Sequence, residues 1–124
     1  MTTDERVAML YEVADEITRR FEDFVEAEMA DTGQPQHVMR HVFIPRGAAN
    51  FKIFADTIKN VATESFRLDT PDGAGALNYG VRKPKGVIGV ISPWNAPFML
   101  MTWKVGPALA VSYTHLTLPT ILRV

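Results

Sequence analysis

Asn95 stands in the run Ile91-Ser92-Pro93-Trp94-Asn95-Ala96-Pro97, which follows the β-branched segment Val87-Ile88-Gly89-Val90-Ile91. A side-chain amide just past the end of a strand can donate an N–H to a developing oxyanion. It can equally serve a turn by satisfying nearby backbone, and spacing alone favours the turn. Ser92 offers a hydroxyl, but no His or Asp stands near it in sequence to make it a nucleophile. His37 and His41, four apart, could share a helical face as half of a zinc site, yet no third ligand is visible. Lys104 is a single cation in an apolar stretch, and a lysine at a helix surface is usually solvated. The 124 residues include no cysteine, which excludes a disulfide framework, a thiolate metal site and a cysteine nucleophile within them.

The elements around Asn95 follow from periodicity. Val7, Leu10, Ala14, Ile17, Phe21, Phe24 and Glu28 recur at steps of three and four, predicting one long amphipathic helix. Thr2 and Glu5 have capping-box spacing at its start, and Asp31-Thr32-Gly33-Gln34-Pro35 supplies its stop. The stripe reads as core packing, with a coiled-coil dimer as the sharper alternative. Glu16 and Arg20 stand at pairing distance on the solvated face. At Ile44-Pro45-Arg46-Gly47 an element breaks or starts, and Pro45 suits a first turn. Residues 48–60 read as a helix with Phe51, Phe54, Ala55 and Ile58 on one face. Residues 61–75 are turn-rich, with a clear signal at Asp69-Thr70-Pro71-Asp72-Gly73. Residues 76–82 alternate like a half-exposed strand. Residues 87–91 read as a strand buried on both faces, which requires helices on both sides and parallel neighbours. Residues 98–110 are helix-compatible, and Met99 and Trp103 share one face, with Ala96 a turn earlier. One buried strand cannot make a sheet, so the expected fold is α/β, part of a doubly wound domain.

Composition narrows the function classes. Thirteen basic and 14 acidic residues give a net charge of −1, so no charge excess points to nucleic acid or an anionic membrane. Hydrophobic residues make up 47% and charged residues 22%, ordinary values for a globular chain. Residues 86–103 form an uncharged run of membrane-spanning length, but Pro93, Asn95 and Pro97 in its middle argue against a spanning helix. The polar start Met1-Thr2-Thr3-Asp4-Glu5-Arg6 does not read as a secretory signal, so the cytoplasm is expected.

The run Gly86-Val87-Ile88-Gly89-Val90-Ile91-Ser92-Pro93-Trp94-Asn95 resembles the aldehyde dehydrogenase superfamily. So do Trp103-Lys104-Val105-Gly106-Pro107-Ala108-Leu109-Ala110, Asp31-Thr32-Gly33-Gln34-Pro35 and Asn78-Tyr79, in the family's order across residues 5–110. The words Ile44-Pro45-Arg46-Gly47-Ala48-Ala49-Asn50-Phe51, Thr70-Pro71-Asp72-Gly73 and Ala76-Leu77-Asn78-Tyr79 are similar to the branch acting on muconic-type semialdehydes from aromatic-ring breakdown. The resemblance implies oxidation of an aldehyde to a carboxylate with NAD or NADP, through a cysteine thiolate. It implies that Asn95 is an oxyanion donor and that Ile91, Ser92, Pro93, Trp94 and Asn95 flank the cofactor. Ala96, Met99, Leu100 and Trp103 would line the substrate tunnel, although an ordinary core stripe has the same spacing. It further implies an N-terminal part of a doubly wound NAD(P)-binding domain, with long helices, an oligomerisation-type strand over 76–82, and the first parallel strand. The parent is then expected to be a homodimer or homotetramer.

Residues 1–110 are thus expected to be a partial cofactor-binding domain, a minority of a full enzyme and inactive alone without its Cys. Residues 111–124 depart from the family pattern. Val111-Ser112-Tyr113-Thr114-His115-Leu116-Thr117-Leu118-Pro119-Thr120 is similar to a translated transposase-type sequencing adapter, and the tail is expected to be non-native. Two readings of other classes stand beside this one. A small helical interaction module predicts a stable helical monomer or dimer without nucleotide affinity. A membrane-anchored peptide predicts partition into detergent.

Overall fold

The computed structural model describes residues 1–83, 86–111 and 115–117, the last three as backbone. α1 (Thr3–Arg19) begins where Thr2 and Glu5 place it. The Glu5 N–H donates to Thr2 Oγ1 at 3.2 Å, and the Thr2 N–H donates to the Glu5 carboxylate at 2.7 Å. Two orphan donors of the first turn are satisfied reciprocally. The single long helix expected from the stripe is in fact two. α1 ends at Arg20 (φ −97°, ψ 29°), and α2 (Phe21–Thr32) starts directly beyond it. One residue leaves the helical region, so the apolar spacing runs on across the break without reporting it. Arg20 turns forward to Asp23 at 2.9 Å, and Glu16 pairs with Arg19 instead of Arg20. α2 stops at Gly33, whose φ of 67° is left-handed and whose N–H bonds the Met29 carbonyl.

A short α3 (Gln36–Val38) passes through a π-turn (Met39–Phe43) into α4 (Ile44–Lys59). Pro45 lies in the first turn of α4. The proline ring collides with the carbonyl four residues back, and the widened turn before it accommodates the ring while the chain stays helical. The stripe of Val7, Leu10, Ala14 and Ile17 packs on Ile44, Ala48, Phe51 and Ala55, with Met39 and Val25 closing the core. The stripe is therefore spent inside the chain rather than on a coiled-coil seam. α1 runs antiparallel to α4, with Tyr11 donating to Asp56 Oδ1 at 2.7 Å and Lys52 paired with Asp15 at 2.7 Å.

α5 (Pro97–Ala110) runs parallel to α4, because Gly47 faces Phe98, Asn50 faces Thr102 and Phe54 faces Gly106. Each glycine is a notch that admits an aromatic ring from the opposite helix. An added Cβ would lie 2.3 Å from Phe98 Cε1 at Gly47 and 2.6 Å from Phe54 Cδ2 at Gly106. Between the notches, buried Asn50 Nδ2 donates to Thr102 Oγ1 at 2.8 Å, and that hydroxyl donates to the Met99 carbonyl at 2.7 Å. Arg6 Nε donates to the Ala110 carbonyl at 2.7 Å, a cation at the C-terminal end of α5.

The strands depart further from expectation. The turn-rich stretch 61–75 contains β1 (Ser65–Leu68), antiparallel to β2 (Ala76–Tyr79) in the register Ser65↔Tyr79 to Leu68↔Ala76. β1 escapes a periodicity scan because four residues are too few to show one, and its partner across the turn makes it a strand. The Gly73 N–H closes that turn on the Thr70 carbonyl at 2.8 Å. β2 also ends three residues earlier than the expected 76–82, at Tyr79. β3 (Val87–Gly89) is shorter than 87–91 and is not buried on both faces. Val87 is 63% and Ile91 65% exposed, and only Val90 of this run is buried. The cause is a sheet of two strands, since among the described residues β3 pairs only with β4 (His115–Thr117). That pair is parallel, Val87↔His115 to Gly89↔Thr117, as a doubly wound fold requires. Among the described residues no helix is long and apolar enough to cross a membrane.

Candidate functional site at the head of α5

After β3 the chain passes Ile91 and turns over residues 92–96 before entering α5. Side chains hold this turn at four points. Lys104 Nζ donates to the Ile91 carbonyl. Ser92 Oγ donates to the Pro97 carbonyl at 3.0 Å, which gives the hydroxyl a turn-closing task. Gln34 Nε2, from the corner after α2, donates to the Asn95 carbonyl. The Phe98 N–H, an orphan donor of the first turn of α5, donates to Glu28 Oε1 at 3.2 Å.

Glu28 explains its own oddity in the sequence. It is the one polar member of the α1–α2 stripe and is only 8% exposed. Ala96, the residue that opens α5, provides no side-chain cap, and Glu28 supplies one from another helix. Burial pushes its carboxyl above the usual carboxylate range. The Phe98 N–H pulls in the opposite direction, and the Asp31 charge adds to the rise.

With the backbone so held, Asn95 is exposed, and its side-chain amide has no hydrogen-bond partner among the described residues. The turn uses its carbonyl and leaves its amide free. Trp94 is 73% exposed, and Pro93 and Ile91 are exposed with it, so Trp94 is no core aromatic. The strand end thus presents an uncovered apolar ledge.

The four candidate substrate positions separate. Ala96 is buried, and Leu100 is half-buried. Met99 and Trp103 face an open groove of about 590 Å³ against His41, Val42, Pro45, Arg46 and Ala49. The floor is apolar, but Arg46 puts a guanidinium 5.9 Å from the Trp103 ring centroid. Among the described residues that guanidinium has no ion-pair partner. Arg46, Glu28 and Gln34 went unremarked as site residues in the sequence. A cation beside Pro45 carries no periodic signal, and a cap from a distant helix is visible only after folding. His37 and His41 are both exposed, and among the described residues no cluster of three ligating side chains exists.

A helical layer and a polar turn at the carboxyl end of β3 make up a piece of a doubly wound α/β architecture. The model of the aldehyde dehydrogenase family matches residues 1–120, and the chain belongs to that family. It is 62% identical over 120 residues to a 2-hydroxymuconic semialdehyde dehydrogenase from Pseudomonas sp. (strain CF600), covering 97% of this chain and 25% of that protein. It is 57% identical over 109 residues to a 2-aminomuconic 6-semialdehyde dehydrogenase from Pseudomonas sp., covering 88% and 22%. Among solved structures, PnpE in complex with nicotinamide adenine dinucleotide superimposes with a TM-score of 0.84 at 36% identity, over 95% of this chain and 24% of that one. The chain therefore spans about a quarter of the length of the relatives it matches.

Proposed function

We propose that this segment forms the oxyanion and substrate-lining part of an NAD(P)-dependent aldehyde dehydrogenase that oxidises an acidic, muconic-type semialdehyde of aromatic catabolism. The observation that carries the reading is the groove between α4 and α5. It joins Met99 and Trp103 to Arg46, which has no ion-pair partner among the described residues, and the Asn95 amide, without a hydrogen-bond partner among them, stands at the head of the same helix. A nucleophile adding to an aldehyde carbonyl puts negative charge on its oxygen, and a preorganised N–H donor lowers that barrier. Asn95 is that donor. Met99 and Trp103 hold the unsaturated chain of the substrate, and Arg46 meets its carboxylate. The 124 residues hold no cysteine, so the nucleophile comes from sequence outside them, and the segment alone does not turn over.

The ledge of Ile91, Pro93 and Trp94 fits a flat dinucleotide ring, being apolar, uncovered and at the carboxyl end of β3. The bound dinucleotide would accept the hydride. The reading includes a cytoplasmic homodimer or homotetramer that uses the exposed face of β2, where Leu77 and Tyr79 are uncovered. It also takes residues 111–124 as a non-native tail, although the family match runs on to residue 120. An uninterrupted read of the source DNA through the codon for Ala110 tests that last point, and the same tail there refutes it.

The enzymatic test is a chimera in which residues 1–110 replace the aligned segment of the Pseudomonas 2-hydroxymuconic semialdehyde dehydrogenase. NAD and NADP reduction is followed with 2-hydroxymuconic semialdehyde. The chimera should turn over, and Asn95→Ala should lower kcat about 10²- to 10³-fold. Retention of kcat by Asn95→Ala sinks the oxyanion role.

A further inference from the structure

We propose that Gln34 and Glu28 are positioning residues for the reaction, setting the Asn95 amide by clamping at two points the turn that carries it. The inference rests on the oxyanion reading of Asn95. Gln34 Nε2 binds the carbonyl of Asn95 itself, and Glu28 Oε1 binds the N–H three residues on, where α5 begins. Both clamps come from α2 and the corner after it, sixty or more residues away in sequence, at separations of 61 and 70. The corner is itself braced. Thr32 Oγ1 donates to the Glu28 carbonyl at 2.7 Å and accepts from the Gln34 N–H at 3.3 Å, tying the two clamps into one unit. Phe98 is fixed from its ring side as well, against Phe24 at 4.8 Å between centroids and in the Gly47 notch.

An oxyanion donor works only where its N–H already points at the charge that will form. Ala96 gives the start of α5 no side-chain cap, so the direction of Asn95 is set by these two bonds together with those of Ser92 and Lys104. Misplacement by about 1 Å costs up to about 100-fold in rate. Gln34 touches neither groove nor ledge, so its effect should fall on kcat alone.

The test uses the active chimera described above. Gln34→Ala and the isosteric Gln34→Glu, which removes the donor, should each lower kcat about 10- to 100-fold. KM for aldehyde and for dinucleotide should stay within about twofold, since only the transition-state contact is lost. Gln34→Lys, which keeps an N–H donor, should restore most of kcat. In an Asn95→Ala background Gln34→Ala should have no further effect, because its action runs through that amide. An unchanged kcat in Gln34→Ala, no rescue by Lys, or an undiminished factor in the Asn95→Ala background overturns the proposal. Failure of the oxyanion reading shows separately, as full kcat in Asn95→Ala, and takes this inference with it.

Discussion

The Gly47 notch makes a prediction whose sign depends on a residue one helix away. In a helix interior, Gly→Ala ordinarily stabilises by about 1 kcal/mol through backbone entropy. At Gly47 the added Cβ falls 2.3 Å from Phe98 Cε1 and 2.9 Å from Cδ1, well inside the 3.4 Å where ordinary contact begins. The ring has little room to retreat, since its neighbour is Phe24 with centroids 4.8 Å apart. Overpacking of this kind costs about 1–3 kcal/mol, more than the propensity gain over most of that range. Gly47→Ala should therefore destabilise by up to about 2 kcal/mol net. Once Phe98→Ala has emptied the notch, the same Gly47→Ala change should stabilise by about 1 kcal/mol. Urea unfolding of the four members of the cycle, followed by far-ultraviolet circular dichroism, reads the reversal. If Gly47→Ala stabilises in both backgrounds, the notch does not constrain α5 and the packing argument for the turn above it fails. The mirror site, Gly106 against Phe54, should behave alike.

Glu28 gives a pH signature. Its folded carboxyl lies above the usual range because of burial, so the folded state binds the proton more tightly than the unfolded chain. Its contribution is fully present below the unfolded carboxylate value and is lost as pH rises through the raised folded value. Glu28→Gln keeps an acceptor for the Phe98 N–H, so its stability relative to the parent should rise across that window. A pH-independent difference would refute the assignment. Thr102→Val strands the buried Asn50 amide and should cost about 1–3 kcal/mol in a thermal or urea melt. A double change to Asn50→Leu with Thr102→Val should cost less than the two singles summed. In the chimera, Arg46→Met should raise KM for an acidic semialdehyde at least about tenfold and spare a neutral aldehyde, and equal effects on both would remove Arg46 from substrate recognition.

How much of this was legible depends on the distance over which each feature is determined. The Thr2–Glu5 box, the Gly33 stop, the Pro45 first turn and the buried face of α1 rest on residues within a turn of one another, and the structure has them. The break at Arg20 was not legible, because a single non-helical residue leaves the 3.6-residue rhythm intact. β1 was not legible either, since four exposed residues become a strand only against β2. The β-branched run 87–91 has the composition of a fully buried strand and is largely uncovered. Composition records the sheet a strand is suited to, and coverage depends on how many neighbours are present.

The site divides along the same line. Asn95, Met99 and Trp103 could be singled out because local order and resemblance mark them, but nothing local distinguishes an amide that closes its own turn from one left free. That difference is decided by Gln34 and Ser92, which take over the backbone bonds of the turn and leave the Asn95 amide unspent. Glu28 was visible as an anomaly, a carboxylate on an apolar stripe, and the anomaly is resolved by an N–H on α5. A polar residue that breaks a core pattern thus asks which orphan backbone group the fold will bring to it. Here the answer ties α2 and the corner after it to the turn where the chemistry is proposed, which is why substitutions at Glu28 and Gln34 should be read out in kcat.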